Sequence, residues 1–223
     1  MKILIYSMTI LALAGAGTLV SGCADDEVST YPSATRSHVV AVPFFVETES
    51  MEPPSTPEQK LYEVRNHEPV LTPTGKHVTW GEFASVSGSI DVQCMAEGTM
   101  IDLDVDGLIP FGVYTIWNVT VKEPGLNPKE ADMNITGIGA AGNGSGTDNV
   151  MMADAEGNAS ITLVSRGGDL SMFGDIEPCS LTGEFEWHVV GTYHIDGYTY
   201  GEDVGPDGTV AEQFAFIFRM DDE

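Results

Sequence analysis

Val113-Tyr114-Thr115-Ile116-Trp117-Asn118-Val119-Thr120-Val121 is the run that decides the fold. It is β-branched and aromatic throughout, carries no charge, glycine or proline, and has the period of two that marks a strand rather than a helix. Val113, Thr115, Trp117, Val119 and Val121 form one row, and Tyr114, Ile116, Asn118 and Thr120 the other. The same rhythm continues on both sides. Upstream, Ile90, Val92 and Cys94 alternate with polar residues, and Ile101, Leu103 and Val105 alternate with Asp102, Asp104 and Asp106. Downstream, Phe185, Trp187, Val189, Tyr193 and Ile195 line one face, and Phe214, Phe216 and Phe218 line another. Turn clusters separate the runs: Glu123 to Pro128, Gly142 to Gly146, Glu156 to Asn158 and Gly205 to Gly208. Asp154-Ala155-Glu156-Gly157-Asn158-Ala159-Ser160 reads as a hairpin turn between two strands. With no long helical pattern, the expectation is an all-β, antiparallel Greek-key β-sandwich of immunoglobulin-like layout.

The chain of 223 residues is 42% hydrophobic and holds 25 glycines, enough for one sizeable domain with many tight turns. Its charge is lopsided: nine Lys and Arg against 34 Asp and Glu give a formal net charge of −25. After position 70 the basic residues are Lys76, Lys122, Lys129, Arg166 and Arg219 alone. A phosphate backbone is repelled by such a surface, which excludes nucleic acid as a partner, and an anionic bilayer is no better without a covalent anchor. The acidity itself has three readings: solubility or life in a salty medium, a cation-binding surface, or a docking face for a basic partner.

The beginning of the chain reads as an export signal. Lys2 is followed by an uncharged apolar or small stretch from Ile3 to Val20, closed by Val20-Ser21-Gly22-Cys23. This end resembles the lipobox of bacterial lipoproteins, which implies cleavage before Cys23 and acylation of its thiol, anchoring the protein to a membrane of the cell envelope so that it faces the periplasm or exterior. An uncleaved membrane span is the alternative. Lipidation of Cys23 leaves Cys94 and Cys179 as an even pair in an oxidising compartment, expected as a disulfide, with two thiols or a metal pair as alternatives. The domain reading is therefore 1–22 signal peptide, 23–70 lipidated N-terminus and polar, Pro-rich tether, and 71–223 β-sandwich. Within the tether, His38 to Val46 is apolar enough to add one edge strand, Pro43 being tolerated only at an edge or bulge.

Three further strings carry a resemblance: Val78-Thr79-Trp80-Gly81-Glu82-Phe83; Gly107-Leu108-Ile109-Pro110 running on to Gly112-Val113-Tyr114-Thr115-Ile116-Trp117; and Tyr193-His194-Ile195-Asp196-Gly197 followed by Gly205-Pro206-Asp207-Gly208-Thr209 and Glu212-Gln213-Phe214-Ala215-Phe216. Over about residues 70–220 they resemble a family of exported bacterial domains of unknown function. The second string also resembles secreted sandwich domains related in layout to copper/zinc superoxide dismutase. The resemblance implies export and a superoxide-dismutase-like sandwich; it carries over no catalytic residue. A dismutase-like copper site needs a His-x-His pair, which this sequence lacks.

Candidate chemistry is sparse. Asp102, Asp104 and Asp106 begin like a calcium loop, but the twelfth position is Val113 where a bidentate Glu is required, and a strand with its aspartates outward accounts for the same residues. Of His38, His67, His77, His188 and His194, the pair His188 and His194 shares a strand face with Glu184 and Glu186. Six extended residues hold them about 20 Å apart, unless the strand folds back near Gly191; His77 is the candidate cross-strand partner. These six residues, His77, His188, His194, Asp102, Asp104 and Asp106, are the weak metal candidates, and neither a cofactor nor a catalytic residue is assigned. No nucleophile elbow, phosphate loop or zinc-protease helix motif occurs, and the three tryptophans sit in strand-like patterns that favour core packing. The expected function is a membrane-anchored, non-catalytic acidic binding or display domain whose partner is an envelope protein or small ligand. The alternatives are a copper/zinc redox protein, or a calcium-dependent or carbohydrate-binding adhesion module.

Overall fold

The computed structural model describes residues 33–36, 40–41, 46–95, 98–121, 135–143, 146–165 and 185–220, all within one compact unit. Cys23, Cys179, Glu184 and the leader lie outside them. The described residues are all-β, with one short helix among them. The strands are β1 (Ser33–Arg36), β2 (Val40–Ala41), β3 (Val46–Glu47), β4 (Tyr62–Glu63), β5 (Ser87–Met95), β6 (Gly98–Asp106), β7 (Val113–Val121), β8 (Ile135–Ala140), β9 (Val150–Met152), β10 (Ala159–Ser165), β11 (Phe185–His194) and β12 (Val210–Met220); helix α1 (Trp80–Phe83) precedes β5. They form a four-stranded sheet in the order β1-β5-β6-β10, a six-stranded sheet in the order β2-β12-β11-β7-β8 with β9 also paired to β7, and a two-stranded β3-β4 ribbon. Every pairing is antiparallel.

Alternation builds the four-stranded sheet as its sequence demands. Ile90, Ile101, Leu103 and Val105 are buried, while Asp102, Asp104 and Asp106 are exposed on the opposite face. Residues from both large sheets join one buried cluster: Ile90, Ile101, Leu103 and Leu163 from the first, Tyr114, Ile116, Trp187, Val189, Tyr193, Phe214, Phe216 and Phe218 from the second. The deciding strand β7 departs from simple half-burial, because both of its rows are covered. Tyr114 and Ile116 enter the main cluster, while Trp117 and Val119 join a second one with Ala140, Val190, Ala215 and Val204 on the outer side of the six-stranded sheet.

Three expectations change. The stretch 46–70, read as spacer from its prolines, packs into the body: Val46, Leu61 and Val70 are buried in the main cluster, and Leu61 trades backbone hydrogen bonds with Val70 and Val78. The 154–160 turn is not a hairpin. Asp154 accepts N–H bonds from Glu156 and Asn158, making the tight turn its composition foretold, yet β9 before it pairs with β7 and β10 after it pairs with β6, so the chain passes from one sheet to the other. Trp80 is helical rather than extended. Thr79-Trp80-Gly81-Glu82 is a capping box, with the Thr79 hydroxyl accepting from Glu82 N and the Glu82 carboxylate from Thr79 N, and this overrides the local strand propensity. The edge strand expected within His38 to Val46 is present as β2, which pairs with β12 through Ala41 and Phe214.

Candidate functional site at the loop end

β5 and β6 meet in a hairpin at Met95 and Gly98, and β6 then runs to Asp106 at the far end, about 26 Å away at strand rise. At that far end lie the 107–112 loop, the 153–158 turn and the 195–209 loop, because β7 begins there at Val113, opposite Met152 on one side and His194 on the other. The chain enters the body from the other end, with Ser33 paired to Gln93.

The loop end is organised by a β-bulge. Gly191 pairs with Phe214 but Thr192 pairs with Glu212, so Gln213 has no opposite number. A bulge re-aims a side chain, and here it sends the fully buried Gln213 inward. Gln213 Nε2 donates to Phe83 O at 3.0 Å and Gly107 O at 3.2 Å, and its Oε1 accepts from the Tyr114 hydroxyl. The same hydroxyl accepts from Ile109 N at 2.8 Å. Burial pushes the Tyr114 phenol well above its ordinary range, so it stays protonated and able to donate. Helix α1, the 107–112 loop, β7 and β12 are thus tied at one point.

A second buried chain lies on the outer side. Trp117 Nε1 donates to Thr115 Oγ1 at 2.7 Å, and Thr115 Oγ1 lies 2.8 Å from His194 Nε2. His194 is buried, and its Nδ1 has no hydrogen bond of ordinary geometry among the described residues. Burial lowers its pKa and keeps the ring neutral, while Asp196 and the Tyr198 backbone pull the other way. Nearby, the Tyr200 hydroxyl bonds to Asp196, and Tyr198 is exposed.

A third group joins the 61–71 segment to the loop end. Arg65 pairs with Asp207 at 3.0 Å, and Asn66 Nδ2 donates to Asp207 O. The buried Glu63 carboxylate accepts the backbone N–H groups of Arg65 and Asn66. Glu212, half-buried beside them, has its pKa raised to about 7, first by desolvation and further by Glu63, with Arg65 opposing. Tyr193 Oη closes the seam with a 2.7 Å bond to Leu71 O.

The metal candidates from the sequence do not converge. His77 bonds to Leu61 O and meets Tyr62 edge-on; His188 bonds to Glu186; His194 is held by Thr115. β11 runs straight through Gly191 and does not fold back, so His188 and His194 stay apart. Asp102 faces Asp91 across the strand pair and accepts from Thr162 at 2.7 Å, while Asp104 and Asp106 follow along the same outer row. Among the described residues no three His, Cys, Asp or Glu side chains gather as a cation site requires. An open hollow of about 470 Å³ lies elsewhere, lined by Thr48, Glu49, Ser50, Gln59 and Lys60. Among the described residues no helix is long and apolar enough to cross a membrane.

Sequence reasoning missed the Tyr114–Gln213 tie and the Glu63–Arg65–Asp207–Glu212 group. Gln213 sits immediately before the Phe-x-Phe-x-Phe run of β12 and gives no signal until the bulge is known. His67, which stacks on Tyr62 and bonds to Glu47 at 2.6 Å, was equally silent. Comparison with protein-family models, with curated proteins and with solved structures finds no match.

Proposed function

We propose that the chain is an exported lipoprotein, anchored through an acylated Cys23, whose body is a Greek-key sandwich with a non-catalytic binding end held away from the membrane. The topology supports the Greek-key reading: the chain crosses between sheets from β6 to β7 and crosses back from β9 to β10, leaving β10 beside β6. The binding reading is carried by one observation. The exposed Phe111, Met152 and Tyr198 gather at the loop end, opposite the point where the N-terminal segment joins β5. Nine residues lie between Cys23 and Ser33. Fully extended, that link reaches about 35 Å, and it serves as the proposed spacer between anchor and body. Cys94 and Cys179 are proposed as the disulfide of the exported form.

Labelling with radioactive palmitate in a bacterial host, followed by membrane fractionation and a non-reducing gel, tests this reading. The wild-type chain takes up label, fractionates with the membrane and changes mobility on reduction; Cys23→Ala does none of the first two and keeps the third. Equal membrane retention of both chains without label overturns the anchor, and unchanged mobility on reduction overturns the disulfide.

A further inference from the structure

We infer that the loop end docks a partner protein whose surface offers an apolar socket ringed by lysine or arginine. The inference rests on the binding reading above and gives that end the chemistry of its partner.

Phe111 is the first ground. Gly112 N donates to Ile109 O at 2.8 Å, closing a four-residue turn with Pro110 second and Phe111 third. Phe111 has φ +59°, the left-handed region that a type II turn fills with glycine at this position. A bulky L-residue there is strained. Reversing the chain requires no ring at all, yet the ring is present and 56% exposed, so its own packing does not offset the strain. The loop beneath it is rigid: Gln213 holds Gly107 O, Tyr114 holds Ile109 N, and Phe111 N donates to Asp154 O. A strained, exposed aromatic on a pinned loop is built to contact something outside the chain.

Its neighbours point the same way. Among the described residues, four of the five exposed large hydrophobic side chains, Phe111, Val150, Met152 and Tyr198, lie on β9 or on the turns flanking β7 and β11 at this end. Met152 pairs with Val113, two residues from Phe111.

Charge selects the partner. Segments 98–121, 146–165 and 185–218, which build this end, contain no lysine or arginine. Asp106, Asp154, Glu156 and Asp196 are exposed there. On the adjoining 46–83 segment, Arg65 and Lys76 are engaged by Asp207 and Glu82, and Lys60 lines the separate hollow beside Thr48 and Gln59. A second copy of the chain or an anionic bilayer meets like charge; a basic protein surface meets complementary charge around an apolar knob.

The full chain in neutral detergent, titrated by fluorescence anisotropy with a labelled amphipathic helix of leucine and lysine, tests this. Phe111→Gly weakens binding by at least about tenfold and leaves the melting temperature unchanged or higher, because the turn is relieved. Glu156→Gln weakens binding and flattens its salt dependence, whereas Asp91→Asn, on the outer face of the other sheet, changes neither. The inference is overturned if Phe111→Gly binds like wild type or melts lower, or if Asp91→Asn weakens binding as much as Glu156→Gln. Phe111-dependent binding to phosphatidylcholine vesicles, or Phe111-dependent self-association in sedimentation, overturns it as well. None of these readouts depends on Cys23, so failure here leaves the anchored binding domain standing, and failure of palmitate labelling leaves this surface standing.

Discussion

Removing one oxygen at the bulge tie tests the organisation of the loop end. In Tyr114→Phe the ring stays, but Ile109 N–H loses its acceptor and Gln213 Oε1 loses its donor, both in a site closed to water. Each buried group left without a partner costs about 1–3 kcal/mol. The two are contiguous and the pocket can relax, so the expected loss is about 3 kcal/mol, which for a body of this size lowers the melting temperature by roughly 6–12 °C. Urea unfolding followed by tryptophan fluorescence measures it, with an unchanged m-value as the check that the unfolded state is the same. Gln213→Leu removes the other partner, additionally strands Phe83 O, and leaves Gly107 O with the Ser85 hydroxyl as its donor. Because the two residues share one hydrogen bond, the double variant costs less than the sum of the singles by about 1–2 kcal/mol. A Tyr114→Phe loss below about 0.5 kcal/mol, or strict additivity with Gln213→Leu, refutes the claim that this tie holds the loop end together.

Glu212 supplies a pH signature. Its pKa in the folded protein is raised to about 7 by desolvation, so between the ordinary carboxylate range and pH 7 the unfolded chain ionises first and stability falls as pH rises, levelling off above 7. Glu212→Gln flattens this descent and stabilises the protein at pH 8, by at most roughly 3 kcal/mol; a variant with the wild-type slope between pH 5 and 7 in chemical denaturation contradicts it. Gly191→Ala places a methyl group 2.0 Å from the Phe214 ring that lies across it. The ring is closed in by the core, so the substitution costs about 2–3 kcal/mol, and thermal melting at the wild-type temperature speaks against the described packing.

Much of the architecture was legible because strand alternation is a local signal. Ile101 to Asp106 declares its buried and exposed sides residue by residue, and Phe214, Phe216 and Phe218 declare the row that fills the core. Strand partners are not local. The turn at Asp154 announces a reversal, but nothing in it says that β9 and β10 belong to different sheets; that depends on which neighbours, β7 and β6, are waiting for them. The prolines at 53, 54 and 57 look like linker, yet Leu61 and Val70 beyond them are apolar residues that gain by burial, and tertiary packing outweighs composition. For the loop end, Glu156 to Asn158 and Gly205 to Gly208 read as turns, while Gly107-Leu108-Ile109-Pro110 carried only a resemblance. The exposure of Phe111 and the inward turn of Gln213 arise from a left-handed φ and a skipped ladder position, neither of which has a pattern in one sequence.

The last described strand, β12, bears on the order in which the body forms. β12 lies between β2 and β11, and Phe214, Phe216 and Phe218 fill the middle of the core. Until β12 is in place, β2 and β11 lack the neighbour they share and the core lacks its centre, so the body closes in one late, cooperative step rather than strand by strand.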